Sequence, residues 1–245
     1  MRTLIFELLK LNSKNYMIYA NALFLLVLLS VDFVSPLTVV MAYFLESIII
    51  GIFNVLKMAR CIQYTNKQEG GGLGNYSILI FFIFHYGFFI AIQSIFAFSF
   101  FEIEGSTFFT DGFALLKNYK ALLDLEGMWL LIASIIFTNL LAFIMNFLAE
   151  KRYEHFTANE LMSKPYLRIF VQQFVVILSG FFLVFLKAGM VAAVILIAFR
   201  LVLDLILIGL RENSEVLDRF AAWYADKNEQ MSFEKVKKQL LLFTE

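Results

Sequence analysis

Glu46, Asn54 and Lys57 stand in the otherwise apolar run "AYFLESIIIGIFNVLKMAR", 42–60, at steps of eight and eleven residues from the glutamate. On a helix those steps keep the three on one stripe with Ile50. Comparable intrusions recur downstream. His85 and Tyr86 interrupt "FFIFHYGFF", 81–89, with Gln93 seven residues after Tyr86. Asn139 and Asn146 are also seven apart, Tyr166 is followed by Gln172 and Gln173, and Arg200 precedes Asp204 by four, the spacing of a helical ion pair. A His, a Glu and an Asp with Tyr and Asn between them have the makings of a proton relay, because imidazole changes charge near neutral pH and intramembrane carboxylates are costly unless paired or used.

Other chemistries fit less well. Zinc wants three protein ligands from His, Cys and carboxylate, and the weak candidates for a metal are His85, Glu46 and Asp204. Haem would find one ordinary axial ligand in His85, and no cofactor is named by these residues. G-x-S-x-G and H-E-x-x-H are missing, and "EGGGLG", 69–74, lacks the lysine and Ser/Thr of a phosphate loop. Simpler roles stand beside the reactive ones. Asn139, Asn146 and Gln172 can act as interhelical glue, Lys57 can reach headgroups from near the interface, and Arg200 with Asp204 can be a structural pair.

The elements that must position these residues are membrane spans. The chain is 61% hydrophobic and 17% aromatic, with 30 Phe, 2 Pro and only 16% charged residues, whereas soluble domains are about half apolar and a quarter charged. A crossing helix needs about 20 mostly apolar residues. Six stretches qualify: 16–33, 36–58, 75–101, 127–149, 166–186 and 188–210. Basic residues cluster in the N-terminal arm and in the second and fourth connections, at Lys10, Lys14, Arg60, Lys67, Lys151 and Arg152. Acidic residues gather in the third, at Glu102, Glu104, Asp111, Asp124 and Glu126. The positive-inside rule then places both termini in the cytoplasm. The expected fold is an all-α integral membrane bundle of six transmembrane helices, in the cell membrane, with a domain over 1–211 and a cytoplasmic amphipathic helical tail over 212–245. Residues 1–12 and 109–127 are expected to be amphipathic interfacial segments, and Ser232 to cap a last short helix.

By this topology, Glu46, Asn54, Lys57, His85, Tyr86, Asn139, Gln173, Arg200 and Asp204 occupy one slab between mid-bilayer and the cytoplasmic face. That common depth is the main functional signal. Arg200 is expected to be neutralised by Asp204 and Glu46, with His85, Asn139 and a glutamine completing the hydrogen bonds. The balance of 20 basic and 20 acidic residues gives no field for nucleic acid, and the single Cys61 excludes an intramolecular disulfide framework. Membrane lipids are the expected surroundings, with a homo-oligomer or a membrane partner subunit left open.

The runs "YFLESIIIGIFNVLKM", "FFIFHYGFF" and "KPYLRIFVQQ" resemble an uncharacterised family of prokaryotic membrane proteins, known only as a domain of unknown function. The resemblance implies roles for Glu46, Gly51, Asn54, Lys57, His85, Tyr86, Gly87, Pro165, Tyr166, Arg168 and Asp204, with a basic residue at Arg200. It also implies further histidines in relatives where this chain has Gln93, Gln173 and Ile208, so a histidine-rich metal or haem site would be depleted here. Three functions remain in competition: small-solute or proton-coupled transport or binding, an intramembrane lipid-modifying enzyme with or without a metal, and a structural or accessory membrane subunit.

Overall fold

A computed structural model describes residues 15–69, 72–102, 109, 111–162, 165–166, 169, 177–178, 181, 189–212, 214–227 and 232–243. Among these every regular element is helical. Among the described residues four helices are long and apolar enough to cross a membrane, over Pro36–Gln68, Ser77–Ser99, Met128–Leu148 and Gly189–Gly209. The described residues fall into two compact units, one of Leu28–Leu196 and one joining the residues up to Val27 with those from Ile197 onward.

The first helix, α1, runs Tyr16–Ser30. Its 15 residues extend about 22 Å, short of a hydrocarbon core of about 30 Å. It stops where Asp32 takes a left-handed conformation, φ 54°. The next helix is primed by sequence: Ser35 Oγ accepts the Thr38 N–H at 3.0 Å, and Pro36 fills the first helical position, where no donor is needed. This α2 runs Pro36–Glu69, 34 residues, well past the expected end at residue 58. Charge alone does not stop a helix, and no Gly or Pro follows Gly51 until Gly70. Arg60 and Lys67, expected in a loop, therefore ride on its last turns.

The centre of the Leu28–Leu196 unit is α2. Its most apolar stretch is 67% buried, against 28% in α3 (Ser77–Glu102) and 17% in the span Met128–Leu148 that α5 (Met128–Ala142) begins. Both pack on α2, as does the short α6, Ala158–Met162. One capping signal in the sequence explains α6. Thr157 and Glu160 form a reciprocal box, the Thr157 N–H donating to Glu160 Oε2 at 3.0 Å and the Glu160 N–H to Thr157 Oγ1 at 3.3 Å. Between α5 and α6 the chain widens into a π-helix, Phe143–Leu148, with the Ala149 N–H reaching Ile144 O at 2.9 Å, and turns through Arg152–Glu154.

At one end of this unit Gly127 opens α5 with φ 74°, and a Cβ there would lie 3.1 Å from Phe33 O, so the α1–α2 turn and the start of α5 meet. The expected amphipathic segment 109–127 is helical over Leu115–Leu123, α4, which buries Asn118 and Leu122 and exposes Leu116. Tyr119 on α4 packs among Phe44 and Phe98. Because Ser94 Oγ donates to Ile90 O at 2.6 Å, its 2.6 Å bond to Tyr119 has the phenol as donor. Burial raises the Tyr119 pKa above the ordinary 10. The neutral phenol is the form this packing accommodates, so its contribution is intact below pH 10 and is lost as pH rises through the folded-state pKa. The melting temperature in detergent should fall above pH 10, and Tyr119→Phe should flatten that fall while costing about 1 kcal/mol at neutral pH. An equally steep alkaline fall in the variant would remove Tyr119 as its cause.

In the other unit, α7 (Gly189–Glu212) contributes its part from Ile197, followed by α8, Ser214–Lys227, and α9, Phe233–Phe243. Val216, Leu217, Ala221 and Val236 form the seam of an α8–α9 hairpin, the amphipathic pair expected of the tail. Lys237 Nζ lies 2.6 Å from Asp218, which raises the lysine's pKa. Ser232 Oγ accepts the Lys235 N–H at 3.4 Å, the expected cap. Residues 1–12, and most of the expected span 166–186, lie outside the described residues; Tyr166, Ile169, Ile177, Leu178 and Phe181 are helical.

Candidate functional site

The polar stripe of α2 is built as spacing requires, but its residues have different surroundings. Glu46 is 2% exposed, with Ser47 and Phe44 buried beside it. One turn on, Gly51 leaves a notch in α2 that the Tyr86 ring of α3 fills, and a Cβ at Gly51 would overlap that ring, with Cδ1 and Cζ both 2.9 Å away. Seated there, the Tyr86 hydroxyl donates to Ser47 O at 2.6 Å. Asn54 is buried, and its Nδ2 donates to Leu161 O at 3.1 Å, tying α2 to α6 across 107 residues of sequence. Lys57 lies lower, its Nζ 5.4 Å from the centroid of the Phe147 ring in the π-helix.

His85 precedes Tyr86 and so faces away from the notch; it is exposed where Tyr86 is buried. Its Nδ1 is 2.6 Å from the hydroxyl of Tyr166, the hydrogen following the imidazole tautomer. Tyr166 is the hub of an aromatic cluster, its ring centroid 5.4 Å from His85, 5.7 Å from Tyr86, 6.2 Å from Phe82 and 6.1 Å from Phe89. Phe81 stacks on the His85 ring at 5.2 Å.

The structure thus joins His85, Tyr86 and Tyr166 with the Ser47–Gly51 part of α2. Asn139 stays with its own helix, Nδ2 donating to Ile135 O at 2.8 Å. Gln173 lies outside the described residues. Arg200 and Asp204 belong to the other unit, where Arg200 Nε donates to Asp204 Oδ2 at 3.2 Å, the pair expected from their spacing. His155 is exposed in the turn before α6. Two partners had no side-chain signal, because the Ser47 and Leu161 acceptors are backbone carbonyls. Tyr166 did have one, as the aromatic of "KPYLR".

The model of a family of unknown function (DUF6498) matches residues 7–231. The chain belongs to the DUF6498 family. No curated protein and no solved structure matches it. The family match covers the whole cluster around Tyr166, the Arg200–Asp204 pair and α8, and ends ahead of α9. In this DUF6498 protein no three of His, Cys, Asp and Glu among the described residues come close enough together to hold a metal ion. The chemistry on offer at the cluster is that of an imidazole and a phenol. In the Nε2–H tautomer the phenol donates to Nδ1; adding a proton at Nδ1 reverses the bond, and the Tyr166 hydrogen must then turn to another acceptor.

Proposed function

We propose that this protein is a multi-pass protein of the cell membrane, with six spans and both termini cytoplasmic, that carries out proton-coupled binding or transport of a small solute. The His85–Tyr166 hydrogen bond of 2.6 Å carries the reading. It sets an imidazole on an exposed face of an apolar helix, with a phenol hydrogen-bonded to it. Asn54 and Tyr86 have a different part in this reading: each donates to a backbone carbonyl of another helix, so they fasten helices, while Asn139 stays bonded to its own helix and the proton chemistry falls to His85.

The test is proton flux across liposomes holding the full-length protein and an internal pH-sensitive dye. After an external pH step, wild-type protein should collapse the gradient at least about tenfold faster than protein-free liposomes, and His85→Gln should return it to the protein-free rate. Tyr166→Phe, which keeps the ring packing and loses the coupled hydroxyl, should fall between them. A wild-type rate equal to that of empty liposomes overturns proton coupling. Fast flux retained by His85→Gln removes His85 from the site.

A further inference from the structure

The inner end of α2 carries a feature that the His85 site does not use. Lys57, Arg60 and Tyr64 recur at helical spacing on the face that meets the π-helix and the Arg152–Glu154 turn. The Arg60 guanidinium carbon lies 4.6 Å from the centroid of the Tyr153 ring, and Tyr153 is braced edge-on by Tyr64 at 5.5 Å and by Phe147 at 6.4 Å. Lys57 sits one turn away over Phe147. Arg152 is committed to Glu150 Oε2 at 2.7 Å, whereas Arg60 pairs with no carboxylate among the described residues; its polar partner is Gln63 Oε1 at 3.4 Å. A cation over an aromatic ring gains attraction without losing its charge, and a guanidinium has five donors for oxygen ligands.

Depth decides what anion arrives. Counted from Pro36 at about 1.5 Å per residue, Lys57 is about 32 Å and Arg60 about 36 Å along α2. With Pro36 at the far boundary, both lie just past a hydrocarbon core of about 30 Å, at the level of lipid phosphates. We infer that Arg60 and Lys57, flanked by Tyr153 and backed by the buried Phe147, form a binding site for the phosphate of an anionic membrane lipid. Arg60 meets the phosphate oxygens through its N–H groups, Lys57 adds charge, and the half-buried Tyr153 ring lies beside the glycerol and upper acyl carbons.

Native mass spectrometry of the full-length protein from mixed micelles of equimolar phosphatidylglycerol and phosphatidylcholine tests this. Wild-type protein should carry the phosphatidylglycerol adduct about tenfold more than the phosphatidylcholine adduct; Arg60→Gln should abolish the preference and Tyr153→Leu weaken it, while Arg219→Gln, a change in an exposed pair on α8, should leave it intact. Equal adducts on wild-type protein, or an undiminished preference in Arg60→Gln, would overturn the site. Wild-type selectivity needs no variant, so a misfolded Arg60→Gln leaves that arm decisive. Displacement of the lipid by millimolar inorganic phosphate would keep the anion chemistry but overturn the lipid as its source.

Discussion

Gly51→Ala should destabilise the protein by about 1–3 kcal/mol, from an overpacking cost of about 1–3 kcal/mol and a lost buried hydrogen bond worth about 1 kcal/mol, less about 1 kcal/mol of gained helix propensity. The sign is the informative part. Gly to Ala within a helix ordinarily stabilises by about 1 kcal/mol, so a loss must come from tertiary contact. That contact is the Tyr86 ring, which a methyl at residue 51 would displace, and moving the ring pulls the Tyr86 hydroxyl off Ser47 O. The change is read as a lower melting temperature and a smaller monodisperse peak in detergent. Tyr86→Ala should cost about 3–5 kcal/mol alone, and adding Gly51→Ala to it should cost almost nothing more, because no ring remains to be displaced. A melting temperature unchanged in the single variant, or additive losses in the double one, would show that the notch does not hold α3 to α2.

This notch also explains what could and could not be read from residues alone. The α2 stripe was legible, since a carboxylate, an amide and an amine in an apolar run are costly enough to be noticed, and Glu46 and Asn54 are indeed buried. The face of α3 was not. That helix is apolar on every side, so nothing periodic says which of His85 and Tyr86 turns inward; Gly51, on another helix, decides it. The extension of α2 to Glu69 was missed for a different reason. A span reading ends where charges begin, but a helix ends where its backbone is broken, and the two points differ here by three turns. Asn139 reads as interhelical glue or as a partner in a polar core, yet a carbonyl of its own helix lies close enough to take its amide. Arg200 and Asp204 were legible because their pairing is local, needing only a spacing of four.

Asn54→Leu should loosen one short element more than it destabilises the whole. The side chain is similar in volume, so the main loss is the Asn54 Nδ2 bond to Leu161 O, which leaves a carbonyl of α6 without its donor from α2, at a cost of about 1–3 kcal/mol. Five residues make α6 too short to stand by itself. Its remaining support is the Thr157–Glu160 box, which is exposed and local, together with Leu161 and Ala158 in the core cluster. Hydrogen exchange followed by mass spectrometry should therefore show protection across 157–162 falling about tenfold, at about 1.4 kcal/mol per decade, while the buried middle of α2 keeps its protection. The outcome separates two descriptions of Asn54. A uniform loss over α2, α3 and α5 would make it part of the global core, with α6 merely resting on it. A loss confined to α6 would make the amide a latch on the segment that leads toward Tyr166, and hence a second handle on the His85–Tyr166 bond that leaves both of those residues untouched.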